Sequence, residues 1–96
     1  MAIGTVVDVF DWDPPKSQST VRRRNIGFEE AASVLDDWRQ VTIEDVEHSS
    51  DEQRWRTIGL SDRARLLVVT WTVRGGRVRV ISAWRATKRE RNAYED

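Results

Sequence analysis

The sequence predicts an α+β domain, with helices packed on one face of an antiparallel sheet. Two observations carry that prediction: short β-branched and aromatic runs recur before and after a pair of helical segments, and Gly75-Gly76 sits between two such runs as a hairpin signal. The predicted order is an N-terminal strand, two helices, three to four further strands and a short C-terminal helix. With 96 residues, the chain is expected to form a single domain over 1–96.

Residues 5–12 are rich in valine and aromatics and read as the first strand. Asp13-Pro14-Pro15 stops it: Asp13 can cap a helix, and proline in a first turn loses no hydrogen bond. A helix is predicted from Pro14 to Arg24, with Arg22, Arg23 and Arg24 placed where cations suit the helix dipole. Asn25 tolerates the left-handed conformation that ends it. A second helix starts at Phe28, its apolar face built from Phe28, Ala31, Ala32 and Leu35, and it ends at Asp36-Asp37. Val41-Thr42-Ile43 is a short edge strand, followed by an acidic loop from Glu44 to Glu52. A strand runs from Arg54 to Leu60. Residues 66–73 are apolar on both faces, which places them centrally in the sheet. The return strand covers residues 77–83, and Thr87 with Glu90 forms a capping box for the last helix.

Net charge is zero, but it is unevenly spread. Residues 36–52 hold seven acids against one base, Arg39, while residues 74–91 hold seven bases against Glu90 alone. Such a basic stretch suits phosphate contact, although the two segments could equally pair with each other. The chain has no cysteine and one histidine, which argues against thiolate metal sites and disulfides, so no metal or cofactor is expected. The acidic loop lacks a calcium-loop pattern. No apolar run approaches the roughly 18 residues needed to span a bilayer, and no secretory signal is evident, so a cytoplasmic location with no membrane partner is expected.

Four stretches, in order, resemble the BrnT toxin family. They are Trp12-Asp13-Pro14 with Lys16; Phe28-Glu29-Glu30-Ala31; His48-Ser49 with Glu52, Arg54 and Ile58-Gly59; and Ile81-Ser82-Ala83 through Arg85-Ala86-Thr87 to Arg89-Glu90-Arg91 and Tyr94-Glu95. The resemblance covers about residues 10 to 95. It implies a RelE-like fold and a toxin of a type II toxin–antitoxin system that cleaves RNA without metal, either free or on the ribosome, to inhibit translation. It also implies a BrnA-like ribbon-helix-helix antitoxin, a heterotetramer with an antitoxin dimer, and operator DNA bound only through that antitoxin. Two positions depart from the family pattern. Arg24 and Asn25 stand where the family commonly has His-Gly, and Trp84 stands where it commonly has arginine. An arginine, with a pKa above about 12, is no ordinary general base. The departures therefore leave an alternative open, a catalytically impaired binding module that acts as an antitoxin-bound corepressor.

Cleavage by the ribose 2′-hydroxyl needs a proton acceptor, cations for the phosphorane and a proton for the leaving oxygen. The candidates are His48, Glu52, Arg65, Arg79, Arg85 and Tyr94, with Lys16, Arg24, Arg77, Lys88 and Arg89 as RNA-binding cations. Each has a structural reading beside it. His48 could brace its loop, Glu52 could pair with Arg54, and Tyr94 could anchor the last helix. Arg77 and Arg79 share a strand face and suit phosphate, or ion pairs. Trp84 could stack a base or anchor an interface, but core filling is the better expectation; Trp12, Trp55 and Trp71 read as core.

Overall fold

The structure is a computed structural model that describes residues 9–96. It contains β1 (Phe10–Asp11), α1 (Pro14–Arg24), α2 (Phe28–Ser33), β2 (Val41–Glu44), β3 (Arg54–Leu60), β4 (Leu66–Arg74), β5 (Arg77–Arg85) and α3 (Lys88–Glu95). The upstream part of the expected first strand lies outside the described residues. The five strands form one sheet in the order β1-β5-β4-β3-β2, with β4 at its centre. Strand β1 pairs parallel with β5, and the other neighbours are antiparallel. Parallel pairing of β1 requires a crossover, which the two helices supply.

Helix α1 has little apolar surface and is held by hydrogen bonds instead. Ser17 and Thr20 are buried; the Ser17 hydroxyl accepts from the Phe28 amide at 2.9 Å, and the Arg24 guanidinium donates to the Ala83 carbonyl at 2.8 Å. Asp13 is the cap residue of α1, but its side chain makes no capping bond; its carbonyl accepts from Lys16 and Ser17 instead. Asn25 closes the helix at φ 59°. Helix α2 tightens into a 3-10 turn over Val34–Asp36, which turns Val34 into the core and leaves Leu35 half-buried.

Alternation along the strands divides the interior into two clusters. Phe28, Ile26, Val34, Leu67, Val69, Val80 and Ala83 form the main core under α1 and α2, with Phe10, Trp12 and Trp71 against it. Trp71 stacks on Trp55 at 6.0 Å and donates its indole N–H to buried Thr57 at 2.8 Å. Ile58, Leu66 and Val68 form a second cluster on the opposite face, closed by Trp84, Ala86 and Tyr94. Helix α3 therefore packs behind the sheet, not beside the other helices as the sequence suggested. That is why β4 had to be apolar on both sides. The capping box at Thr87 and Glu90 is present, and Tyr94 donates to Asp37 at 2.7 Å, which ties α3 to the loop before β2.

At the Gly75-Gly76 turn both residues adopt positive φ, 61° and 76°, which joins β4 to β5 tightly. Along β5 the register slips between Thr70 and Trp71: Ser82 opposes Thr70 but Val80 opposes Trp71, so Ile81 is an inserted residue.

Candidate active site

Helix α3 covers only one end of its sheet face. The remainder carries Arg54 and Arg56 from β3, Thr70, Thr72 and Arg74 from β4, and Arg77, Arg79 and Ser82 from β5, as register and alternation require. Five arginines thus share one sheet face because they occupy alternate positions on three neighbouring strands. The bulge at Ile81 keeps Ser82 and Trp84 on this side as well.

A cleft of about 200 Å³ opens here, lined by Asp45, His48, Arg54, Arg56, Thr70, Ile81, Ser82 and Trp84. His48 ends a 3-10 turn (Val46–His48) that follows β2. Its Nδ1 lies 3.0 and 3.1 Å from the two carboxylate oxygens of Asp45, whose side chain is only 6% exposed. An Nδ1–H donated to that carboxylate leaves Nε2 as the acceptor, on a ring that remains open to solvent. Asp45 also takes the Arg56 guanidinium at 3.4 Å. Ser49 braces the loop: its hydroxyl donates to the Asp45 carbonyl at 2.6 Å and accepts from the Arg54 amide at 2.9 Å.

The Nε atoms of Arg54 and Arg56 are buried and have no hydrogen-bond partner. Both arginine side chains line the cleft and are about a third exposed, and two planar cations side by side suit an acceptor-rich anion such as phosphate. Trp84 forms one wall, with the Arg56 guanidinium 5.9 Å from its ring centroid. Its indole N–H points to the Glu90 carboxylate at 3.3 Å.

The expected site residues are distributed over several places. His48 lies in the cleft. Glu52 borders it, bound to Arg74 at 2.6 Å and to Arg54 at 3.5 Å. The Arg74 hydrogen bond holds the Glu52 carboxyl below its ordinary value, so Glu52 is an ionised positioning group for arginines. Arg79 sits on the same sheet face and pairs with Asp11 at 2.8 Å, which lowers the Asp11 carboxyl in turn. Arg77 shares that face.

Arg65 is elsewhere: it clamps buried Glu30 through two nitrogens and donates to the Asn25 carbonyl at 2.8 Å. The hydrogen bond between Arg65 and Glu30, against the cost of burial, depresses the Glu30 carboxyl and raises Arg65. Arg85 points away from the cleft into a groove with Arg65 and Arg91. Tyr94 is committed to Asp37, which raises its phenol above the ordinary value. Lys16 and Arg24 line a shallow groove between α1 and the Ile81-Ser82 bulge. Lys88 and Arg89 are exposed on the first turn of α3 and do not line the cleft. Sequence reasoning missed Asp45, Arg54 and Arg56 as site residues. The signals were an acid three residues before the lone histidine, and arginines spaced by two on the strand that follows.

Fold and site together define a class: a small α+β domain with two helices on one sheet face and an arginine-rich, imidazole-bearing cleft on the other. A family model described as "Ribonuclease toxin, BrnT, of type II toxin-antitoxin system" matches residues 12–90. The chain belongs to this family of ribonuclease toxins. The crystal structure of the Brucella abortus ribonuclease toxin, BrnT, is similar in fold, with a TM-score of 0.61, 20% identity, and coverage of 82% of this chain and 96% of that one. No curated protein sequence matches the chain.

Proposed function

We propose that this chain is a metal-independent endoribonuclease whose cleavage of RNA inhibits translation, and that His48 is its general base. One observation carries the reading: an imidazole oriented by a buried carboxylate lines one cleft with two guanidinium groups. In this mechanism Nε2 of His48 takes the ribose 2′-hydroxyl proton as the 2′-oxygen bonds to the adjacent phosphorus. Arg54 and Arg56 stabilise the charge on the phosphorane oxygens. The bond from phosphorus to the 5′-oxygen then breaks, and that oxygen takes a proton from water. The products are a 2′,3′-cyclic phosphate and a 5′-hydroxyl. Trp84 offers a face for a flanking base, and Arg77 and Arg79 lie where neighbouring phosphates would run.

The domain, residues 1–96, acts in the cytoplasm and is silenced by a BrnA-like ribbon-helix-helix antitoxin in a heterotetramer that reaches operator DNA through the antitoxin. Cleavage of a labelled RNA in excess chelator tests the enzyme. His48→Ala should slow it by about 10²–10⁴-fold, the usual worth of a general base. Full-rate cleavage by that variant would refute the assignment.

A second reading, the corepressor, rests on Arg24. It stands at the position of the family's common histidine, yet its guanidinium is bound to the Ala83 carbonyl. Antitoxin binding by a wild-type chain that cleaves no RNA would favour that reading.

A further inference from the structure

We propose that the open edge of β2 is a docking site for the antitoxin, and that the docking segment is an extended strand of alternating basic and apolar residues. The inference rests on the antitoxin partnership proposed above. Strand β2 ends the sheet, and no strand pairs beyond it among the described residues.

The amide of Asp45 donates to the Arg54 carbonyl at 2.8 Å, and Val41 and Ile43 lie opposite Ile58 and Arg56. Inward and outward amides alternate in an antiparallel ladder, so Thr42 and Glu44 turn their N–H and C=O groups to the open edge. Such an edge is a template for a further strand. Exposed apolar side chains lie on the strand and flank it in sequence. Trp38 at 89% and Val46 at 75% are the most exposed large apolar side chains among the described residues, and Ile43 between them is 53% exposed.

Charge selects the occupant. Asp36, Glu44, Glu47 and Asp51 are exposed here and form no ion pair among the described residues. A second copy of the chain would bring these acids together, whereas a basic strand would neutralise them. The edge also leads into the 3-10 turn that carries His48. A strand seated on β2 would therefore run to the mouth of the cleft, which gives silencing a steric basis.

Amide exchange measured by NMR, on the free chain and on its complex with the antitoxin co-expressed from the same operon, tests this. Exchange at Thr42 and Glu44 should slow by about tenfold or more in the complex, while Ile43, already in the ladder, changes little. Glu44→Pro removes one outward donor where an edge strand tolerates proline, and should weaken antitoxin binding by about tenfold or more. Glu44→Gln keeps the donor and should weaken binding less. Unchanged exchange at Thr42 and Glu44 within a formed complex would overturn the proposal and leave the ribonuclease reading, which His48→Ala tests, untouched. Failure to form a complex would overturn it too, as would concentration-dependent protection of the same amides in the free chain, the mark of a second copy.

Discussion

At the scale of single residues, the proposed chemistry depends on how one imidazole is held. Asp45 is buried, binds His48 through both carboxylate oxygens, and shares its charge with Arg56. Asp45→Asn keeps the shape but removes the charge that fixes the tautomer. Cleavage by that variant should fall, and the double variant with His48→Ala should be no slower than His48→Ala alone, a non-additivity that single-turnover rates would reveal. The arginines divide by what they touch. Arg54 and Arg56 line the cleft and keep part of their side-chain surface exposed beside single ion pairs to Glu52 and Asp45, whereas Arg65 is saturated by Glu30 and the Asn25 carbonyl. Arg56→Met should therefore depress cleavage, and because it also strips a guanidinium from buried Asp45 it should lower Tm as well. Glu30→Ala, which strips the partner from a largely buried guanidinium, should cost about 2–3 kcal/mol in denaturant melts.

Elements meet at a few points where one atom decides the fit. Strand β3 passes the 3-10 turn after α2 at Gly59, where a Cβ would lie 2.9 Å from a Val34 methyl and 3.2 Å from the Val34 carbonyl. The neighbour is backbone as well as side chain, so Gly59→Ala should destabilise by about 1–3 kcal/mol, readable as a lower Tm. Helix α3 has no fully buried residue, and its attachment relies on Tyr94, Trp84 and the Thr87–Glu90 box. Thr87→Ala should cost about 1 kcal/mol through the lost cap. The β5 bulge has a different role. By inserting Ile81 it sets Ser82 and Trp84 on the arginine face while Ala83 fills the main core.

Over the whole molecule, zero net charge conceals a cationic sheet face and an acidic rim along β2 and the following loop. RNA affinity should fall steeply as salt rises, and Arg77→Ala with Arg79→Ala should flatten that dependence; equal slopes for the two proteins would contradict the role of this face. Stability should also narrow at both ends of the pH scale. Glu30 and Asp37 titrate below their ordinary values of 4.5 and 3.8 in the folded state. For Glu30 the Arg65 hydrogen bond outweighs burial. For Asp37 burial opposes the shift, and the Leu60 amide, Tyr94 hydroxyl and Arg39 amide overcome it. Their stabilisation is complete above the unfolded values and is lost as pH falls through the folded ones. Tyr94 is raised above its ordinary 10.0, so its contribution holds below that pH and disappears as pH rises through the folded value. Tyr94→Phe should remove the alkaline loss, and Glu30→Gln should shallow the acid one, in Tm measured against pH.

The sequence by itself determined the order of elements, the bounds of α1, β3 and the capping box, the central place of β4 and the hairpin at Gly75-Gly76. Each rests on a local rule: proline at a helix start, apolar alternation, glycine at positive φ. It also pointed to His48 and to the paired arginines of β5, because period-two spacing on a strand is visible in one dimension. Only the tertiary structure decided which charged residues are neighbours. Glu30 and Arg65 are far apart in the chain yet form a buried pair, and Arg54 and Arg56 reach the cleft because β3 lies beside β4 and the loop carrying Asp45 folds over it. The side taken by α3 was equally hidden, since an apolar strand buried on both faces does not say which element covers which. Local propensities are written along the chain, whereas a charge partner is chosen by strand register and by the cost of leaving a buried charge unpaired.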